Sequence, residues 1–191
     1  MSSFRVLLLT FGIGAAVLGC STPSKHVSAD PTRDVLLFPY GNYIHQVKLF
    51  LPGVPDPSKR NFEFRGAVKI AAETIHTVVL SPIGTTILTL TEDRATGKVD
   101  IKVFVDSLKT YAGNLTEYYA SLRVILTMLR HPDENDVTLD DHGRPARMKK
   151  TVGDRPTLFS FAGYDEHEIP TALHIENEKF TVDVKVAGYE I

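Results

Sequence analysis

The sequence predicts a mainly β protein in which an antiparallel sheet is covered on one face by a single long helix. Three observations predict it. Apolar residues alternate at period two through segments 43–51, 62–70 and 99–105. The period changes once, to three and four residues, between Leu115 and Leu129. It returns to two in the C-terminal third, so strands flank one helix rather than alternating with several.

The elements follow in order. In 43–51, Val47, Leu49 and Leu51 share a face while Gln46 and Lys48 oppose it. Pro52-Gly53-Val54-Pro55-Asp56-Pro57 then imposes a loop, because three prolines exclude a ladder strand. Next, Phe62, Phe64, Val68 and Ile70 point one way and Glu63, Arg65 and Lys69 the other. Segments 75–80 and 85–91 are β-branched and apolar, joined by Ser81-Pro82-Ile83-Gly84. Thr96-Gly97-Lys98 turns the chain into Val99, Ile101, Val103 and Val105. The helix carries Leu115, Tyr118, Tyr119, Leu122, Ile125, Leu126 and Leu129 on one face; Asn114 with Glu117 reads as its start and His131-Pro132 as its stop. Phe159 and Phe161, then 173–176, then Phe180, Val182, Val184 and Val186 complete seven or eight strands. A curved sheet lined with this much Phe either fills its core or encloses an apolar cavity.

At 191 residues, 43% hydrophobic and 23% charged, the chain is neither disordered nor a polytopic membrane protein. Its net charge of -2 gives no electrostatic case for nucleic acid. The single cysteine, Cys20, excludes an internal disulfide and a cysteine-built zinc site. It closes a stretch in which Arg5 precedes an apolar run from Val6 to Val17, ending in Val17-Leu18-Gly19-Cys20. The run is shorter than the ~20 residues that span a bilayer and carries Gly12 and Gly14, so a cleaved signal is expected rather than an anchor helix. The cysteine's place resembles a bacterial lipobox. That implies a signal peptide over 1–19, acylation of Cys20, and a Ser-, Thr- and Pro-bearing tether over 20–33. A single folded domain is expected over 34–191. Ser21 rather than aspartate follows the cysteine, which points to the outer membrane of a Gram-negative cell, on its periplasmic side.

No catalytic constellation is recognisable. There is no G-x-S-x-G, P-loop or H-E-x-x-H pattern beyond the signal. Asp140-Asp141-His142 and Asp165-Glu166-His167-Glu168 are the best metal candidates, yet both read as solvated turns whose consecutive side chains do not converge on one ion. His45, His76 and His174 fall within strands as ordinary face residues. Arg144, Arg147, Lys149 and Lys150 form a small basic cluster, read as a solvated face. The expectation is a non-enzymatic protein with no cofactor and no metal.

One segment is more specific. Val78-Val79-Leu80-Ser81-Pro82-Ile83-Gly84-Thr85-Thr86-Ile87-Leu88-Thr89-Leu90 resembles the strand–loop–strand of the LolB family, the outer-membrane lipoprotein receptors of the bacterial lipoprotein-localisation pathway. Ser121-Leu122-Arg123, Leu139-Asp140-Asp141, Phe161-Ala162-Gly163-Tyr164-Asp165 with Ile169-Pro170, and the strand from Phe180 to Ile191 resemble later family segments in the same order. The chain departs from the pattern in having no Trp, in Ser81 and Ile83 within the loop, and in its proline-rich 52–57 segment.

The resemblance implies a half-open antiparallel β-barrel with a helical lid over a cavity for acyl chains. Pro82, Ile83 and Gly84 would form the membrane- or cargo-contacting loop, with Ile83 protruding. The expected lining is Val47, Leu49, Phe62, Phe64, Val68, Phe161, Phe180 and Val182, with Tyr118, Leu122, Ile125 and Leu126 from the lid. Expected partners are an acylated lipoprotein or another lipid, a LolA-like periplasmic carrier as donor, and the outer membrane, with the protein itself a monomer. Two other readings stay open on the residues alone. One is a structural or partner-binding envelope lipoprotein with a filled barrel. The other is a lipid hydrolase, which needs a nucleophile within reach of His45, His76 or His174.

Overall fold

The computed structural model describes residues 35–109, 112–132 and 136–191. The signal segment 1–19, Cys20 and the tether 20–33 lie outside the described residues. One antiparallel sheet of ten strands dominates: β1 (Gly41–Phe50), β2 (Asn61–Ile70), β3 (Thr74–Leu80), β4 (Thr86–Asp93), β5 (Val99–Val103), β6 (Val137–Leu139), β7 (Pro145–Val152), β8 (Arg155–Tyr164), β9 (Pro170–Glu176) and β10 (Thr181–Glu190). A one-turn helix α1 (Asp106–Lys109) and the long helix α2 (Ala112–Leu126) connect β5 to β6.

The strand order is β5-β4-β3-β2-β1-β10-β9-β8-β7-β6, and the sheet is open. Two five-stranded meanders, β1–β5 and β6–β10, therefore meet where the first and last strands pair. The α1–α2 segment is the one connection that must travel from one edge of the sheet to the other.

Alternation sets the faces. Tyr43 lies opposite Val68, Val47 opposite Phe64 and Val184, and Phe161 opposite Leu173, so the apolar sets of neighbouring strands share one face. The main core cluster runs from Leu37 to Val184 and includes Phe38, Phe159 and Phe180, all fully buried. A smaller cluster of Leu88, Leu90 and Tyr119 lies under the β4–β5 edge. Both clusters are built within the described residues, so this segment carries its own core.

Three expectations need correction. The sheet has ten strands rather than seven or eight: β6 has only three residues, and β7 carries Arg147, Lys149 and Lys150 among its buried Pro145, Met148 and Val152. That much charge hides the alternation. Second, α2 begins at Ala112, which places Asn114 inside the helix rather than at its cap. Third, α2 ends at Leu126, short of His131-Pro132. The chain there leaves the helix to form a bridge between Leu129 and Leu36, with Leu37 donating to the Met128 carbonyl at 2.8 Å and Arg130 to that of Val35 at 2.8 Å.

Candidate functional site: an apolar cavity beneath the helix

Between α2 and the β1–β5 half of the sheet lies a cavity of about 230 Å³. Its wall takes Val47 and Leu49 from β1, Phe62, Phe64 and Val68 from β2, Val182 from β10, and Tyr118 and Leu122 from α2. The volume exceeds the ~150 Å³ at which an apolar protein cavity stays dry and takes up benzene. A space this large among apolar side chains is the candidate site of the fold.

The mouth lies by the proline-rich loop. Val54, Lys59 and Glu63 border the cavity there, and Lys59 and Glu63 are exposed. Arg60 fixes this loop by donating from Nε to the Val54 carbonyl at 2.7 Å, while the Leu51 amide donates to the Arg60 carbonyl at 2.9 Å. From the mouth, burial deepens along β1 and β2 toward His45 and Gly66.

Phe161, Phe180, Ile125 and Leu126, expected on the lining, are not part of the cavity wall; they are packed in the main core. Phe180 meets Tyr118 edge-on, with ring centroids 4.7 Å apart. The reason is depth along the sheet. Ile125 and Leu126 at the end of α2 join the main core, and Tyr118 covers Phe180, whereas Tyr118, Tyr119 and Leu122 also face the open space over the β1–β5 half.

Sequence reasoning passed over several wall residues. His45, Gly66 and Thr77 line the inner part of the cavity, and Tyr119 closes it from the helix. His45 and Thr77 are buried, and neither His45 Nε2 nor Thr77 Oγ1 has a hydrogen-bond partner among the described residues. Burial pushes the His45 imidazole down to about 4, so the ring is neutral at physiological pH. Their parity with Val47 and Ile75 was the available signal for the inner face.

Two ionic latches hold the helix over the cavity. Glu92 of β4 is fully buried; it accepts from Tyr119 Oη at 2.6 Å and from Arg123 Nε at 2.7 Å. Burial, then the Glu92 hydrogen bond, pushes the Tyr119 phenol upward, so it remains the donor. Nearer the start of α2, Glu117 accepts from Arg155 Nε at 2.7 Å and from Lys179 Nζ at 3.0 Å. The hydrogen bonds from Arg155 and Lys179 hold its carboxyl below the ordinary range.

The β3–β4 loop stands apart from the cavity as an exposed tip. Ser81 donates to the Thr85 carbonyl at 2.8 Å, Gly84 donates to Ser81 O at 2.9 Å, and Gly84 takes φ +88°. This is a three-residue hairpin whose last residue is left-handed. Ile83 is left 90% exposed. A side chain at Gly84 would meet nothing within 4 Å, so only backbone strain opposes it. Gly84→Ala is expected to lower the unfolding free energy by about 1 kcal/mol in urea titrations. A cost near zero would mean that the turn adopts another form.

The remaining polar candidates are occupied by structure. Asp140 accepts from the amides of His142 and Arg144 and from the Arg144 guanidinium, which together lower its carboxyl to about 2. Asp165 accepts from Tyr189 Oη at 2.7 Å and from the amides of His167 and Ile169 at 3.0 Å. His76 meets Thr91 at 2.9 Å on the outer face. His174 is held between Asp183 at 2.7 Å and Glu176 at 3.7 Å, with no hydrogen bond to a serine or threonine among the described residues. No group of three His, Cys, Asp or Glu side chains that could hold a metal occurs among the described residues. Compared with known protein families and with curated proteins, the sequence matches none.

Proposed function

We propose that the chain is a non-enzymatic, lipid-anchored carrier of the LolB type, held at the outer membrane through Cys20, which takes up acyl chains and delivers them to the bilayer. On this reading the open sheet and α2 are a half-open barrel with a helical lid. The supporting observation is the apolar cavity between α2 and the β1–β5 half. Uptake needs no cofactor, since each methylene moved out of water contributes ~0.8 kcal/mol. The closed volume suits one chain, being below the ~300–1,000 Å³ of pockets that take drug-sized ligands. A triacylated cargo requires α2 to swing outward. Such a swing breaks the Glu92 and Glu117 latches and parts Tyr118 from Phe180.

Capture and delivery are separable. Leu122→Trp fills the cavity from the helix side and is expected to weaken capture of a fluorescent acylated peptide by at least about tenfold. Soluble chain 21–191 is the reagent, and unchanged capture would contradict the cavity's role. Ile83→Glu lies outside the lining and should leave capture intact. Delivery to liposomes should fall by about tenfold or more, because a carboxylate at the tip opposes insertion. Unaltered delivery would remove the loop from the account.

A further inference from the structure

Buried side-chain nitrogens and oxygens without partners are rare in folded proteins, and each calls for an explanation. Four occur among the described residues, and two of them, His45 Nε2 and Thr77 Oγ1, belong to residues of one cavity wall. The register places them on either side of β2. His45 of β1 lies opposite Gly66 of β2, and Thr77 of β3 lies opposite Val68, the next inward-facing residue of β2. The two residues thus lie diagonally across β2, His45 beside Gly66 and Thr77 two residues further along, and a Cβ added at Gly66 would meet only the His45 Cβ, at 3.7 Å. Gly66 leaves room beside the imidazole that any other residue would fill.

No charged partner faces the ring. Its neighbours are Phe38 and Tyr43, with centroids 6.2 Å away in each case, and burial keeps it neutral. Neither atom is open to water. A polar group brought in on an apolar chain is driven to this end of the cavity by the burial of that chain. A neutral imidazole and a hydroxyl offer donors and acceptors but no charge, so they suit an uncharged hydrogen-bonding group.

We propose that the inner end of the cavity recognises an uncharged hydroxyl or carboxylic acid group carried in, polar end first, on a single unbranched hydrocarbon chain. The ligand class is a long-chain alcohol or an un-ionised fatty acid. The imidazole and the Thr77 hydroxyl turn into the space beside Gly66 to meet it. This inference rests on reading the cavity as an acyl-chain site and adds which end of the chain lies deepest.

The test uses soluble chain 21–191, with 1-dodecanol, dodecanoic acid and dodecane competing against an environment-sensitive apolar dye. Wild type is compared with Thr77→Val, which removes the hydroxyl at constant shape, and His45→Phe, which keeps a ring. The expected result is a ratio of dodecanol to dodecane affinity at least about tenfold lower in each variant. Both variants should melt at or above the wild-type temperature, because an unpaired buried group has been removed. A merely structural pair would lose stability on replacement without changing that ratio. Comparison of dodecanol with dodecanoic acid across pH tells which group is preferred. An unchanged ratio in both variants, with all three probes still displacing the dye, overturns the polar-end assignment and leaves the cavity intact. Failure of every probe to displace the dye overturns both.

Discussion

Replacing Arg123 with Met should lower the unfolding free energy by about 3 kcal/mol. Glu92 is fully buried on β4, and its carboxylate is compensated by the Arg123 guanidinium and the Tyr119 hydroxyl. Removing one partner of a buried ion pair typically costs ~3–5 kcal/mol, because the remaining charge stays in the interior uncompensated. The Arg123 side chain is 45% exposed, which places the expectation at the lower end. Tyr119→Phe removes one charge-assisted hydrogen bond and should cost about 2 kcal/mol. Replacing both ends of the ion pair, Glu92→Leu with Arg123→Met, should restore most of the loss, since no charge is left behind. Urea denaturation of the single and double variants measures this coupling. A single-variant cost below about 1 kcal/mol would mean that water reaches Glu92 and that the latch is weak.

The second large effect is a pH dependence that belongs to His45. Its folded-state value of about 4 lies below the ordinary 6.5, so the unfolded chain binds the proton more readily. Stability from this group is fully present above pH ~6.5 and is lost as pH falls toward 4. The difference of roughly 2.5 pK units corresponds to about 3 kcal/mol. Glu117 and Asp140 also destabilise the fold on acidification, but their depressed carboxyls act below their ordinary range near pH 4. They are shared by wild type and His45→Phe. Between pH 7 and 4, wild type should therefore lose about 3 kcal/mol more than His45→Phe. Parallel pH profiles would show that the ring is hydrated in the folded protein.

Much of the sheet was legible because burial on one face writes itself as alternation. The segments of β1 to β5 and β8 to β10 show it directly, and the inward positions Val47, Phe64, Phe161 and Val184 follow. β7 was not legible, since Lys149 and Lys150 replace apolar residues where the strand faces solvent and Pro145 opens it. The end of α2 was misplaced for a different reason. Leu129 fits the helical period, yet its backbone pairs with Leu36, a partner 93 residues earlier that no local pattern reveals.

The cavity was legible as a face but not as a space. Periodicity says that Phe62, Phe64, Phe161 and Phe180 point the same way. It does not say that the first two border a void while the last two are packed in the main core. His45 and Thr77 were missed because polar residues at inward positions usually find partners. Glu92 was missed for the converse reason. A carboxylate within Thr91-Glu92-Asp93 looks like a strand end in solvent until Tyr119 and Arg123 arrive from the helix.

Acyl-chain carriage is tested most directly by binding of fluorescent lipopeptides to soluble chain 21–191, with mono-acylated, triacylated and unacylated forms of one peptide compared. A carrier should bind the acylated forms saturably and the unacylated peptide not at all, with the acylated forms competing for one site. Absence of acyl-dependent binding by well-folded protein would contradict such carriage and leave the cavity without a cargo.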